Sequence, residues 1–127
     1  VRHSAGTVRV FHNRCAHRGM MPCQAPRGHV RRFVCPYHGW TYDTDGRLMG
    51  VPSPDGYVGA HQPVRRGAGL ATVPRSASYR GFVFASLAPT GVPLLEHLGD
   101  MTVAFDNLVD RAPDGSVTMS EHRFQLM

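Results

Sequence analysis

The sequence contains no lysine, one tryptophan and only three cysteines in its 127 residues. All 14 basic side chains are arginines; they outnumber the nine acidic ones and give a formal net charge of +5 at pH 7. The arginines are scattered and no aromatic stacking motif accompanies them, so the charge does not favour nucleic acid as a partner. A positive excess of this kind is better suited to attracting an acidic redox partner or substrate.

Long apolar runs are also missing. No stretch approaches the roughly 20 apolar residues that a membrane-spanning helix requires, and no signal segment opens the chain, so we expect no membrane association. Hydrophobic residues make up 42% and charged residues 18% of the chain, which favours a folded domain over disorder. The 14 glycines and 10 prolines follow no period, as is typical of short strands joined by many turns.

Residue patterns predict mostly β structure followed by helices. An Asp-Gly turn predicts a hairpin over Trp40–Met49. Two helices are expected after Pro93, the second capped by Asp100. Its apolar face should comprise Met101, Ala104, Phe105, Leu108 and Val109. The segments expected to be extended are Val8–Phe11, Val30–Cys35, Leu70–Val73, Gly81–Ala85 and Val117–Met127.

The cysteines indicate a metal site. Three cysteines cannot all pair within the chain, and no secretory signal precedes them, so a disulfide framework is disfavoured. Cys15 and His17 lie in one turn-rich segment, and Cys35 and His38 lie in a second. Each segment follows a β-like run. Two loops of a sheet scaffold can therefore converge on one metal centre.

A set of two cysteines and two histidines fits two kinds of centre. One is a closed tetrahedral zinc site, and the other is a [2Fe-2S] cluster in which two cysteines hold one iron and two histidines the other. In common zinc sites of this composition, cysteine pairs with cysteine and histidine with histidine across short spacings. Here each loop mixes the two residue types, which favours the two-iron cluster and leaves zinc as the alternative.

A family resemblance is carried by five segments: Asn13–Gly19, Phe33–Asp43, Asp45–Leu48, Tyr79–Ala85 and Pro93–Gly99. They resemble the Rieske domain of aromatic ring-hydroxylating oxygenase large (alpha) subunits. The resemblance implies a mainly β Rieske iron-sulfur fold over residues 1–88, with small antiparallel sheets and two cluster-binding loops. Residues 89–127 would then hold linker helices and the first strand of a truncated α+β catalytic domain.

The same resemblance assigns the ligands. Cys15 and Cys35 would bind the inner iron of the [2Fe-2S] cluster, and His17 and His38 the outer, more exposed iron. These four residues are the predicted metal-binding and cofactor-binding residues, and no catalytic residue is expected in this chain.

Departures from the motif indicate the branch of the family. Respiratory Rieske proteins carry an additional cysteine in each loop, joined as a disulfide, whereas Met20 and Tyr37 stand at the corresponding positions here. The resemblance is therefore to the oxygenase and ferredoxin branch. We predict that Cys23 is a free thiol and that Trp40 and Tyr42 pack beneath the loops.

The resemblance also implies the context of the chain. Oxygenases of this family insert dioxygen into an aromatic substrate at a mononuclear Fe(II), using NAD(P)H electrons that a reductase or ferredoxin delivers. They are bacterial cytoplasmic proteins that form homotrimers of large subunits, some with small (beta) subunits. We expect this chain to be a part of such a subunit without the mononuclear iron, because Glu121–His122 lacks a third ligand. The alternative is a stand-alone Rieske ferredoxin, against which the helices expected after Pro93 argue.

Overall fold

The computed structural model describes residues 1–3, 6–57, 67–115 and 117. These residues form a mainly β structure with small antiparallel sheets, as predicted. The elements in chain order are β1 (Arg32–Val34), β2 (Thr41–Asp43), β3 (Leu48–Gly50), a 3-10 turn (Pro54–Gly56), β4 (Arg75–Tyr79), β5 (Phe82–Ser86), α1 (Leu94–Leu98) and α2 (Met101–Asp110). Most of the predicted segment Val117–Met127, including the Glu121–His122 pair, lies outside the described residues.

The first three strands form one antiparallel sheet in the order β1-β2-β3. The predicted hairpin is confirmed as β2 and β3, and a side chain fixes its turn. The Asp43 carboxylate accepts hydrogen bonds from the amides of Asp45 at 2.9 Å and Arg47 at 2.8 Å. Such an Asx-type turn joins the strands tightly, so the register of the sheet beneath the two loops is set locally.

The hydrophobic core lies between this sheet and the two predicted loops. Its buried members are Cys15, Phe33, Cys35, Trp40, Tyr42, Leu48 and Leu70. Both candidate cysteine ligands thus belong to the core, and the Tyr42 side chain is fully buried beneath them. The prediction that Trp40 and Tyr42 pack below the loops is confirmed.

Strands β4 and β5 form a separate two-stranded hairpin. Its turn, Arg80–Gly81, has φ values of 50° and 89°, the left-handed pair that a two-residue hairpin turn requires. The rings of Phe82 and Phe84 pack on Phe105 of α2, with centroids 5.0 and 5.5 Å apart. The hairpin and α2 therefore form a second packing unit beside the core of the first sheet.

Some strand predictions differ from the structure. Val8–Phe11 and Leu70–Val73 form isolated bridges, such as Phe11 with Thr72, in place of continuous strands. The amides of His12 and Val73 donate to the carbonyls of Ala71 and Val10 at 2.8 and 3.0 Å on either side of the bridge, and the pairing is limited to this one position. Strand β4 was not predicted, because its sequence is rich in serine and arginine. It is extended because it pairs with all five residues of β5.

Two of the five residues predicted for the apolar face of α2 turn inward. These are Phe105 and Val109, while the remaining positions are exposed: Met101, Ala104 and Leu108. The helix is rotated so that Asp106 reaches the hydroxyl group of Tyr79 on β4. Asp100 stands at the N-cap position of α2, as predicted, but within the described chain its side chain makes no capping hydrogen bond. Neither α-helix of the described ranges is long and apolar enough to cross a bilayer.

Candidate metal centre

The first candidate loop, Cys15–Met20 (loop 1), is closed by its own backbone. The Cys15 amide donates to the Met20 carbonyl at 2.8 Å, and the Gly19 amide donates to the Cys15 carbonyl at 3.0 Å. Gly19 has a φ of 78°, which favours glycine. Loop 1 therefore carries Cys15 and His17 on one tight turn.

The second loop, Cys35–Trp40 (loop 2), repeats the same pattern. The Cys35 amide donates to the Trp40 carbonyl at 2.8 Å, and the Gly39 amide donates to the Cys35 carbonyl at 2.9 Å. Gly39 has a φ of 66°. In both loops a left-handed glycine stands four residues after the cysteine. Sequence reasoning missed this role, although the repeated spacing of cysteine and glycine was the available signal.

The loops separate the two kinds of donor by depth. Cys15 and Cys35 are 4% and 2% exposed and carry free thiols. His17 and His38 are only half-buried. Their rings lie 4.7 Å apart at an angle of 69°. The structure thus brings the two imidazoles together on the outer side and buries both thiols on the core side; that the four residues bind one cluster stays a prediction.

One polar atom of this group has no hydrogen-bond partner among the described residues. This atom is Nδ1 of His17, which is buried. A buried polar atom without a partner is rare in a folded protein. Burial lowers the pKa of His17, and the charges of His38 and Arg18 lower it further. The neutral imidazole that results is the form that binds a metal.

The donors fit a two-iron cluster. Each iron of such a cluster needs only two protein ligands, because bridging sulfides supply the others. In the described ranges no three His, Cys, Asp or Glu side chains lie close enough together to hold one metal ion. Two buried thiols and two neighbouring imidazoles match the pairwise requirement of the cluster.

Aromatic rings fix the histidine of loop 1. The Trp40 ring stacks on the ring of His17 with centroids 4.7 Å apart and an angle of 6°. Trp40 in turn meets Tyr57 edge-on at 6.2 Å. Because Trp40 is buried in the core, it holds the His17 ring in one orientation and keeps water from that face.

Tyr42 places a hydroxyl group against the sulfur of loop 1. The Tyr42 oxygen lies 3.0 Å from Cys15 Sγ and accepts a hydrogen bond from the Ala16 amide at 3.1 Å. Burial first, and then the hydrogen bond with Cys15, raises the pKa of Tyr42 above its usual value. The hydroxyl stays protonated, and toward a metal-bound thiolate, which has no proton, it is the donor.

Side chains on the outer side link the two loops. The Arg18 guanidinium of loop 1 lies 5.8 Å from the centroid of the Tyr37 ring of loop 2, a cation–π distance. The Tyr37 ring in turn lies 3.7 Å from the ring of His38. Cys23 is a partly buried thiol whose Sγ donates to the Ala25 carbonyl, and that it binds no metal stays a prediction.

Comparison with known proteins agrees with this geometry. The profile of the Rieske [2Fe-2S] domain matches residues 1–74. The chain is 37% identical over 114 residues to the N,N-dimethyl phenylurea N-demethylase subunit alpha of Sphingobium sp. (strain YBL2), covering 90% of this chain and 25% of the relative. It is 36% identical over 116 residues to the biphenyl 2,3-dioxygenase subunit alpha of Rhodococcus jostii (strain RHA1), covering 91% and 25%.

Solved structures give the same result. The crystal structure of naphthalene 1,2-dioxygenase from Rhodococcus sp. bound to indole superposes with a TM-score of 0.78 at 39% identity, covering 89% of this chain and 26% of that one. The chain thus spans about a quarter of the length of the relatives it matches. Since the profile covers more than half of its residues, this chain belongs to the Rieske [2Fe-2S] domain family.

Proposed function

We propose that this chain is the electron-transfer part of an aromatic ring-hydroxylating oxygenase alpha subunit. The observation that carries the proposal is the convergence of two loops with the same turn, which unites two buried thiols and two adjacent imidazoles. Cys15 and Cys35 would hold one iron of a [2Fe-2S] cluster, and His17 and His38 the other. When bound, the cluster supplies a centre that accepts and releases one electron.

The remaining residues of the site orient and tune its ligands. The Tyr42 oxygen lies 3.0 Å from the Cys15 sulfur; toward a metal-bound thiolate its O–H would donate, and a hydrogen bond of this kind stabilises negative charge on the thiolate. Trp40 fixes the ring of His17. The contact of Arg18 with Tyr37 joins the loops on the outer side. These residues would hold the histidine edge near the surface, where an electron can enter or leave.

The activity of the longer protein is part of the same proposal. The names of the relatives, such as biphenyl 2,3-dioxygenase subunit alpha, support an oxidoreductase that inserts dioxygen into an aromatic substrate. In that protein a mononuclear Fe(II) outside this chain would perform the oxidation, with electrons from a reductase or ferredoxin. We infer a homotrimer of large subunits in the bacterial cytoplasm, of the kind to which small (beta) subunits can be added.

We also propose the division of the chain into residues 1–88 and 89–127, the second being the start of a catalytic domain. The profile match ends at residue 74, and the β4–β5 hairpin follows directly. Two helices then begin at Leu94. The helices, of which α2 packs on the hairpin through Phe105, favour a connection to further structure over a small carrier that stands alone.

Metal analysis of the purified chain tests the proposal. We expect two irons and two acid-labile sulfides per chain, with visible absorbance typical of a cluster. Each single ligand replacement should abolish that absorbance, whereas Cys23→Ser, the matched control, should keep it. The ligand variants are Cys15→Ser, His17→Ala, Cys35→Ser and His38→Ala. Bound zinc without sulfide, or loss of the cluster in Cys23→Ser with retention in a histidine variant, would contradict the proposal.

A further inference from the structure

The two cluster loops differ in what joins the chain that enters the loop to the chain that leaves it. We call this junction the neck of the loop. Loop 2 leaves and rejoins a sheet, because Val34 of β1 pairs with Thr41 of β2 directly below it. The segments that flank loop 1 are not part of any strand in the described chain. The chain that enters loop 1 is bound to Ala71 through the His12 amide at 2.8 Å, and the Cys15 amide closes the loop on Met20. A further connection between the two sides of the loop would add to these bonds in keeping Cys15 and His17 in place.

The side chain of Asn13 supplies that connection. Its Nδ2 donates to the Cys23 carbonyl at 2.6 Å, and its Oδ1 accepts from the Cys23 amide at 3.0 Å. Both main-chain polar groups of Cys23 are thus bound by one carboxamide, as an opposite residue in an antiparallel ladder would bind them. Cys23 itself packs against the hydrophobic core. This pair of hydrogen bonds, which we call the Asn13 clasp, therefore ties the chain that enters loop 1 to Cys23, a residue packed on the core.

We propose that Asn13 is a positioning residue for the cluster, because its clasp on Cys23 closes the neck of loop 1 and holds Cys15 and His17. This inference rests on the proposed function. Loop 1 supplies one ligand to each iron under that proposal, so loosening its neck disturbs both irons at once. Loop 2, with its ladder of backbone hydrogen bonds, is unaffected.

The chemistry of the clasp is specific to asparagine. A carboxamide offers a donor and an acceptor at its end. An aspartate at this position keeps the acceptor for the Cys23 amide but turns an acceptor toward the Cys23 carbonyl, so it restores half of the clasp at most. An alanine removes both hydrogen bonds. The three side chains therefore form a graded series.

Hydrogen exchange of the full chain loaded with iron and sulfide tests the role. In Asn13→Ala we expect the amides of loop 1 to exchange about tenfold faster, consistent with the loss of two hydrogen bonds, while those of loop 2 stay at the wild-type rate. The EPR lines of the reduced cluster should broaden, and a chelator should remove the iron faster. Asn13→Asp should lie between. Asn107→Ala, on the exposed side of α2, is the matched control and should equal the wild type.

The outcomes separate this proposal from the proposed function. Unchanged exchange and EPR lines in Asn13→Ala, with a normal iron count, overturn the role of Asn13 alone. Equal loosening of both loops overturns it as well, because the residue then supports the fold as a whole. A wild-type chain that binds no iron overturns both proposals. If Asn13→Ala does not fold, the comparison of Asn13→Asp with the wild type decides.

Discussion

Tyr42 connects the hydrophobic core to the candidate metal centre through a single hydroxyl group. Its oxygen accepts a hydrogen bond from the Ala16 amide and lies 3.0 Å from Cys15 Sγ, so toward a metal-bound Cys15 thiolate its O–H would be the donor. Hydrogen bonds to cluster sulfurs are one of the means by which a protein sets a reduction potential. The reduced cluster carries more negative charge, so this bond stabilises the reduced state more than the oxidised state.

Replacing Tyr42 with phenylalanine should lower the reduction potential by roughly 60 mV, the shift that corresponds to a tenfold change in a one-electron equilibrium. The Ala16 amide also loses its acceptor, which should reduce the free energy of unfolding by about 0.5–1.5 kcal/mol. Voltammetry and chemical denaturation measure the two effects. Tyr79→Phe, which removes a hydroxyl bonded to a carboxylate, is the control. An unchanged potential in Tyr42→Phe would show that the hydroxyl does not act on the cluster.

The two loops depend on one glycine each because the chain turns back at that point with a positive φ. Gly39 is the more constrained of the two. A Cβ there would lie 2.8 Å from Cγ of the Pro52 ring, whereas a Cβ on Gly19 would meet only the end of the Arg14 side chain at 3.1 Å. The flexible arginine can move, but the proline ring is held by its own backbone.

Gly39→Ala should therefore destabilise the chain by about 2 kcal/mol through left-handed strain and the contact with Pro52. Gly19→Ala should have a smaller effect. Gly28→Ala is the matched control, since its φ is not positive and a Cβ there would meet nothing within 4 Å; it should change stability by less than about 0.5 kcal/mol. Thermal and denaturant unfolding compare the three variants. Equal stability of Gly39→Ala and Gly28→Ala would refute the assigned strain.

The β4–β5 hairpin is fastened to α2 by polar contacts as well as by phenylalanines. The Tyr79 hydroxyl donates to the Asp106 carboxylate at 2.8 Å. Arg80 in the turn pairs with Asp106 at 3.4 Å and also with Asp110. These contacts explain why the helix presents Asp106 to the hairpin beside the apolar Phe105.

This contact predicts a pH dependence. The hydrogen bond to Asp106 raises the pKa of Tyr79 above its usual value of 10.0. The folded chain therefore keeps a proton that the unfolded chain releases, and the contribution to stability, complete below pH 10, is lost as pH rises through the folded pKa. In Tyr79→Phe the fall in unfolding free energy above pH 10 should be shallower than in the wild type. Identical slopes in both proteins would contradict the contact.

Over the whole chain, sequence reasoning performed best where the chemistry is local. The spacing of Cys15, His17, Cys35 and His38 indicated two loops that meet at one metal centre. The Asp-Gly turn predicted the hairpin of β2 and β3. It failed where the outcome depends on a distant partner. Strand β4 forms because it pairs with β5, and the rotation of α2 follows from a contact 27 residues away. The roles of Tyr42 and Asn13 are likewise invisible in the sequence, because each acts on a residue at least ten positions distant.

The central claim is that two loops supply one cysteine and one histidine each to a [2Fe-2S] cluster. Pulsed EPR of the reduced chain, grown with ¹⁵N-labelled histidine, tests this claim most directly. The account predicts two strongly coupled histidine nitrogens, assigned to His17 and His38, in a sample with two irons per chain. A paramagnetic cluster with no coupled histidine nitrogen, or with only one, would contradict it.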